Sequence, residues 1–237
     1  MFHSYFFQFK INVIVIGLCA LLILPSVAWA GGIALGSTRV IYPADARQVS
    51  LSLNNSDEHN RYLIQTWVEN ESGEKTEDFI VTPPLFVSKP KSENMLRIIF
   101  SGEKLPQDRE TLYWLNNKAI PSINKDETSD NNTLQIAVLA RIKLFVRPVG
   151  LKEKSADAPS MLKFSRSDDS LNISNSSPFY VTLVNMSIGG RNVATTMVSP
   201  KASTQVPLPK GVVSGTLNYQ TINDYGANTP VASVQIN

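Results

Sequence analysis

The sequence predicts an all-β protein made of two sandwich domains. Three observations predict it: short apolar or alternating runs bounded by turn residues, the absence of any stretch with sustained helical periodicity, and a bend at Pro148–Gly150 after which the same style resumes. Short strands with regular turn signals are the pattern of a sandwich. The chain has 237 residues, enough for one large or two ordinary domains. A hydrophobic content of 43% with 18% charge makes a packed core feasible and argues against disorder. A net charge of +2 leaves no electrostatic case for a nucleic-acid partner.

Residues 1–30 read as a secretory signal rather than part of the fold. Lys10 closes a weakly positive start, the run Ile11 to Leu24 is broken only by Asn12 and Gly17, and Ala28-Trp29-Ala30 supplies the small residues a signal peptidase reads. Cleavage is expected before Gly31. The competing reading, a membrane anchor, needs roughly 20 apolar residues, and this run is shorter. The only cysteine, Cys19, would leave with the signal, so the mature chain could form no disulfide even though export leads to oxidising surroundings.

A first domain is expected over 31–150. Ala34 to Pro43 is β-rich and predicts one strand ending at the proline; Val49 to Leu53 alternates and stops at Asn54-Asn55-Ser56-Asp57; Tyr62 to Val68 is a third strand. Phe79-Ile80-Val81 runs into Pro83-Pro84, which cannot continue a ladder and marks an edge or a change of sheet. Met95 to Phe100 and Leu112 to Asn116 follow, then a polar loop over 121–133 and a long strand over 134–148. About seven strands fit, the number in an immunoglobulin-like sandwich. A second, smaller sandwich is expected over 151–237, with strands at 171–174, 179–188, 193–197, 204–208, 215–222 and 231–236.

Catalytic chemistry is scarce. His3 falls in the leader and His59 sits in a polar turn beside Glu58 and Asn60, where a solvated loop residue is the ordinary reading. No cysteine remains as nucleophile or soft ligand. Gly189-Gly190 lacks the spacing of a phosphate loop. Asp168-Asp169 reads as a charged turn before it reads as a hydrolytic carboxylate pair. No cofactor or metal is expected.

The long strand is unusual. Leu134, Ile136 and Val138 fall on one parity, and Ala137 and Leu139 make the other parity apolar too; then Arg141 and Lys143 charge that second parity while Ile142, Leu144 and Val146 keep the first apolar. A strand with one wet face alternates cleanly. Either the strand is buried between two sheets, or it packs a core with one face and offers the other to a partner. Arg39 and Lys143 each sit in an apolar strand. Taken singly each reads as a snorkelling surface charge; if their strands border one cleft, they could hold one anion, with the rigid fork of Arg and the compact charge of Lys suited to a carboxylate.

Four stretches resemble the periplasmic fimbrial, or pilus, assembly chaperones, in that family's order: Thr38 to Pro43, Val81 to Phe86, Tyr113 to Asn116 with Lys118 to Pro121, and Ala140 to Pro148. In the second half Asn223-Asp224-Tyr225-Gly226 is the clearest match. The resemblance implies two immunoglobulin-like domains set as an L with a cleft between them. It implies that Arg39 and Lys143 anchor the C-terminal carboxylate of a fimbrial subunit. Leu134, Ile136 and Val138 would form a donated strand that completes the subunit's unfinished sandwich, the family's donor-strand mode. Glu110, Arg147 and Asp224 would form an interdomain ion network that sets orientation. The lack of a cysteine pair and the short loop before the long strand are similar to the short-loop branch of the family. A periplasmic, non-enzymatic chaperone that delivers subunits to an outer-membrane usher is then expected. The alternatives are a structural fimbrial or adhesin protein, and a sandwich enzyme. The sequence leaves open whether the free protein pairs with itself to hide an apolar edge.

The implied roles raise a question of parity. Strict alternation puts Lys143 opposite Leu134, Ile136 and Val138, whereas Ile142 and Leu144 share their side and read as core. Both roles on one strand predict a bulge near Leu139–Arg141, since a bulge shifts parity by one.

Overall fold

The computed structural model describes residues 31–122, 136–212 and 214–236. The expected leader, most of the polar loop and Leu134 lie outside these residues. Residues 32–237 belong to one compact unit with two separate apolar cores.

The first sandwich contains β1 (Ile33–Leu35), β2 (Arg39–Pro43), β3 (Val49–Asn55), β4 (Tyr62–Glu69), β5 (Phe79–Thr82), β6 (Leu85–Ser88), β7 (Ser92–Phe100), β8 (Thr111–Pro121) and β9 (Val138–Arg147). One sheet runs β1-β3-β7-β5 and the other β2-β9-β8-β4-β6. Two courses of chain change sheet part-way, so nine segments follow seven courses. The single strand expected up to Pro43 is broken: β1 pairs β3, and after Gly36–Thr38 the chain crosses to lie parallel to β9 as β2. Gly36 donates its N–H to Ser52 O at 2.8 Å, and its missing Cβ leaves the space that Ser52 Oγ occupies. The second change falls at Pro83-Pro84, as the missing proline N–H groups demand. β5 pairs β7 in one sheet and β6 pairs β4 in the other. The Thr82–Pro83 peptide is cis.

Between the sheets Leu53, Ile64, Leu96, Ile98, Leu115 and Leu144 have no exposed surface. Alternation puts them there: Leu51 and Leu53 on β3, Ile64, Thr66 and Val68 on β4, and Leu96 and Ile98 on β7 all point inward. An aromatic cluster closes one end, with Phe79 edge-on to Tyr42, Phe100 and Tyr113 at 4.9–5.7 Å between centroids. Their hydroxyls are not wasted: Tyr113 donates to Asp78 Oδ2 at 2.9 Å, and Tyr42 donates to Ala46 O while accepting from Phe100 N–H.

A 3-10 helix (Ser155–Met161) leads into the second sandwich: β10 (Leu162–Ser167), β11 (Ser170–Asn175), β12 (Val181–Ile188), β13 (Arg191–Asn192), β14 (Thr196–Val198), β15 (Ala202–Pro207), β16 (Gly215–Thr221) and β17 (Ala232–Ile236). One sheet runs β10-β11-β15 and the other β13-β12-β16-β17, with β14 also on β12. Strand β10, absent from the sequence expectation, alternates Leu162 and Phe164 with Lys163, Ser165 and Ser167, a pattern too polar to stand out. Leu171, Ile173, Leu183, Ile188, Val198 and Leu217 form the zero-exposure centre. Buried Asn175 stitches the turn before β12, donating to Phe179 O and Ser199 O and accepting from Ser177 N–H and Oγ–H.

The expected bulge is absent. β9 pairs β8 without a shift of register from Ala119↔Val138 to Thr111↔Val146. No parity change is needed, because one face of β9 changes surroundings along its length. Leu144 and Val146 are sealed in the core (0% and 2% exposed), Ile142 packs at its rim, and Val138 and Ile136 are 61% and 66% exposed. The strand overhangs its own sandwich. The opposite face changes likewise, from Leu139 at 54% exposed to Phe145 at 3%.

Candidate functional site

The site is built where β2 and β9 run side by side at the second domain. Parallel pairing sets Arg39 opposite Lys143, so both side chains leave the sheet on the face opposite the core. That face is covered here by the second domain: Phe145 lies 5.4 Å from Tyr180, centroid to centroid. Arg39 is 8% exposed, so it is no snorkelling surface charge. Its Nη1 donates to Ile222 O at 3.2 Å, its guanidinium lies 6.0 Å from the Phe145 ring, and its Nε is buried without a hydrogen-bond partner. Lys143 donates from Nζ to Thr182 Oγ1 at 2.9 Å. Among the described residues neither cation forms an ion pair with an acid.

The electrostatics follow. Burial lowers the Arg39 pKa, against the opposing pull of the Asp224 and Glu110 charges. Burial, and then the charge of Arg39, bring the Lys143 ammonium down to about 8. Two like charges, partly desolvated and unpaired, favour an anion between them. A cavity of ≈ 330 Å³ opens against Arg39, lined by the aromatic Phe145, Phe179 and Tyr180 and by the charged Arg147 and Asp224.

Below the cation pair lies the ion network. Arg147 Nε donates to Glu110 Oε1 at 2.7 Å, and its two Nη groups grip Asp224 Oδ2 and Oδ1 at 2.7 and 2.8 Å. Ser155 Oγ donates to Asp224 Oδ2 at 2.7 Å, and Tyr180 N–H donates to the other oxygen of Glu110 at 2.9 Å. The Arg147 guanidinium also stands 5.1 Å from the Phe179 ring. Glu110 is 3% exposed, and burial raises its pKa despite Arg147. For Asp224 burial pushes upward too, but the hydrogen bonds from Arg147 and Ser155 and the Arg147 charge together hold it below the ordinary carboxylate range. This bidentate, charge-assisted geometry links the residue before β8, the end of β9 and the β16–β17 turn, joining the two sandwiches.

The structure therefore brings together Arg39 with Lys143, and Glu110 with Arg147 and Asp224. Val138, at the overhanging start of β9, and Ile136, just before it, stand apart from both; Leu134 lies outside the described residues. On that overhang β9 has β8 on one side only: β2 begins its pairing at Lys143, so among the described residues no strand covers the other edge of 138–142. Sequence reasoning missed Thr182, Ser155, Tyr180 and the carbonyl of Ile222. The first three are ordinary strand and linker residues, and a carbonyl carries no sequence signal. His59 is in an exposed turn and Asp168-Asp169 is the β10–β11 turn, as read.

The structure thus combines two sandwiches joined by an ion network, an apolar strand edge with no neighbouring strand among the described residues, and a half-buried to buried cation pair beside it. Residues 32–152 match the N-terminal domain of the PapD pili and flagellar-assembly chaperones, and 157–233 match the PapD pili assembly chaperone C-terminal domain. The chain belongs to this family of pilus assembly chaperones. A probable fimbrial chaperone of Escherichia coli K12, SfmC, is 51% identical over 228 residues, covering 96% of this chain and 99% of that one. The E. coli chaperone FimC is 49% identical over 200 residues, covering 84% and 82%. The crystal structure of the periplasmic chaperone SfaE superposes with a TM-score of 0.74 at 42% identity, covering 86% of this chain and 99% of that one. The SafB chaperone, solved with the Salmonella enterica SafA pilin, gives 0.79 at 30% identity, covering 90% and 100%. The protein is a fimbrial chaperone; a structural fimbrial subunit is not favoured.

Proposed function

We propose that this chaperone acts in the periplasm, captures fimbrial subunits by lending them the overhanging part of β9, and passes them to an outer-membrane usher. The subunit's last strand would pair with the uncovered edge at 138–142. Leu134, Ile136 and Val138 would enter the groove of its unfinished sandwich, and its C-terminal carboxylate would dock on Arg39 and Lys143. Glu110, Arg147 and Asp224 would hold the two domains at the angle that this docking needs. The observation that carries the reading is the adjacency of an open apolar edge on β9 and two cations without an acidic partner, buried Arg39 on β2 and half-buried Lys143 on β9. Each costs free energy in the free protein, and one partner with a strand and a terminal carboxylate relieves both. Burying an aliphatic side chain contributes roughly 1.5–3 kcal/mol, and each ladder hydrogen bond about 1 kcal/mol net. A grip made mainly of backbone bonds tolerates different subunit sequences. SafB, solved together with a pilin, supports the subunit as partner.

Co-expression with a fimbrial subunit tests the reading. Arg39→Ala and Lys143→Ala should each abolish the recoverable complex while the chaperone stays folded. Normal yields from both would count against it.

A further inference from the structure

The turn between β16 and β17 carries Tyr225, which is 92% exposed. An aromatic side chain left in water on a tight turn is unusual, since Tyr ordinarily buries its ring. The turn is not loose. Asn223 Oδ1 accepts from the N–H groups of both Tyr225 and Ala227 at 3.0 Å, and Asn223 N–H donates to Ala227 O at 2.9 Å. On one side of Tyr225, Asp224 is clamped by Arg147 and Ser155. On the other, Gly226 has φ +83, and a Cβ there would collide with Thr38 Oγ1. Thr38 immediately precedes Arg39. Tyr225 thus sits on a tightly hydrogen-bonded turn wedged against Thr38, the residue before Arg39, and Tyr225 and Arg39 line the same cavity.

We infer that Tyr225 is a specificity-determining residue of the anchor: its ring is a platform for an apolar or aromatic side chain in the last two residues of the bound segment. The inference rests on the proposed docking of a terminal carboxylate at Arg39 and Lys143. The occupant follows from continuity. A chain whose carboxylate reaches Arg39 must leave the cavity past its rim, and Tyr225 is the exposed aromatic there. The aromatic lining of Phe145, Phe179 and Tyr180 favours the same kind of side chain. Gly226 acts as a positioning residue, because only glycine lets the turn sit this close to Thr38 at positive φ.

The test uses the mature chaperone and synthetic peptides of alternating valine and threonine ending in Phe-Phe or Gly-Gly, each as free acid and as C-terminal amide. Amidation should weaken binding to every chaperone variant. The wild type should prefer Phe-Phe over Gly-Gly by about three- to tenfold, the range of an aromatic contact. Tyr225→Ala should erase that preference with an unchanged Tm, and Tyr225→Phe should keep it. If Tyr225→Ala retains the preference, or weakens both peptides equally, while amidation still matters, this inference fails alone. If amidation has no effect on the wild type, the carboxylate reading fails and carries this inference with it.

Discussion

The two halves of β9 share one backbone ladder and one alternation of side chains, yet they do opposite things. From Lys143 to Arg147 the strand has neighbours on both edges and cover on both faces: β2 and β8 in the sheet, the first core under Leu144 and Val146, and Tyr180 over Phe145. From Val138 to Ile142 it has β8 alone, and Val138 and Leu139, with Ile136 just before the strand, stand in solvent. The difference shows how a single strand can serve as a structural beam at one end and a binding element at the other. Cover, rather than apolar character, decides burial, since the exposed half, Val138 to Ile142 with one charge, is the more apolar, and the covered half, Lys143 to Arg147, carries two.

That comparison can be broken at four points. The largest effect is expected at Arg147. Removing it strands Glu110, which is 3% exposed, so Arg147→Ala should destabilise by about 3–5 kcal/mol in denaturant unfolding. Next, Leu144→Ala should cost about 2–5 kcal/mol by leaving a hole in the first core. Replacing Ile136 or Val138 by Asp, on the overhang, should leave stability within about 0.5 kcal/mol while sharply reducing the subunit complex recovered in co-expression. A stability loss at 136 or 138 comparable with that at 144 would mean that the overhang is covered in the free protein, and would remove the contrast.

The smallest effect sharpens it by pH. Burial and Arg39 lower Lys143 from 10.5 to about 8. A bound carboxylate favours the charged ammonium and raises that pKa again. Between about 8 and the pKa in the complex, the free chaperone has lost the proton that the complex keeps. Affinity should therefore fall as pH rises above about 8, by at most about tenfold per unit. Stability of the free chaperone should move the other way, rising between about pH 8 and 10.5, because the unfolded chain there binds more protons. Lys143→Met should flatten both profiles, measured by calorimetry and by thermal unfolding.

The sequence determined the class, because β alternation and proline placement are local properties. Inward Leu51, Leu53, Ile64 and Leu96 could be read from parity alone, and Pro83-Pro84 marked the change of sheet because proline has no N–H to give. Resemblance to short motifs picked out Arg39, Lys143, Glu110, Arg147 and Asp224. What parity could not reveal was where cover ends. It put Lys143 opposite Val138 correctly, but read an uninterrupted strand as needing a bulge, because exposure depends on how far a neighbouring sheet reaches. Only the tertiary structure decided that β1 and β2 part at Gly36, that the Arg39 Nε is left without a partner, that Thr182, Ser155 and Tyr180 join the site, and that Gly226 meets Thr38. Each of those depends on which residues far apart in the chain are brought together, within the first sandwich or between the two, and no window of sequence contains it.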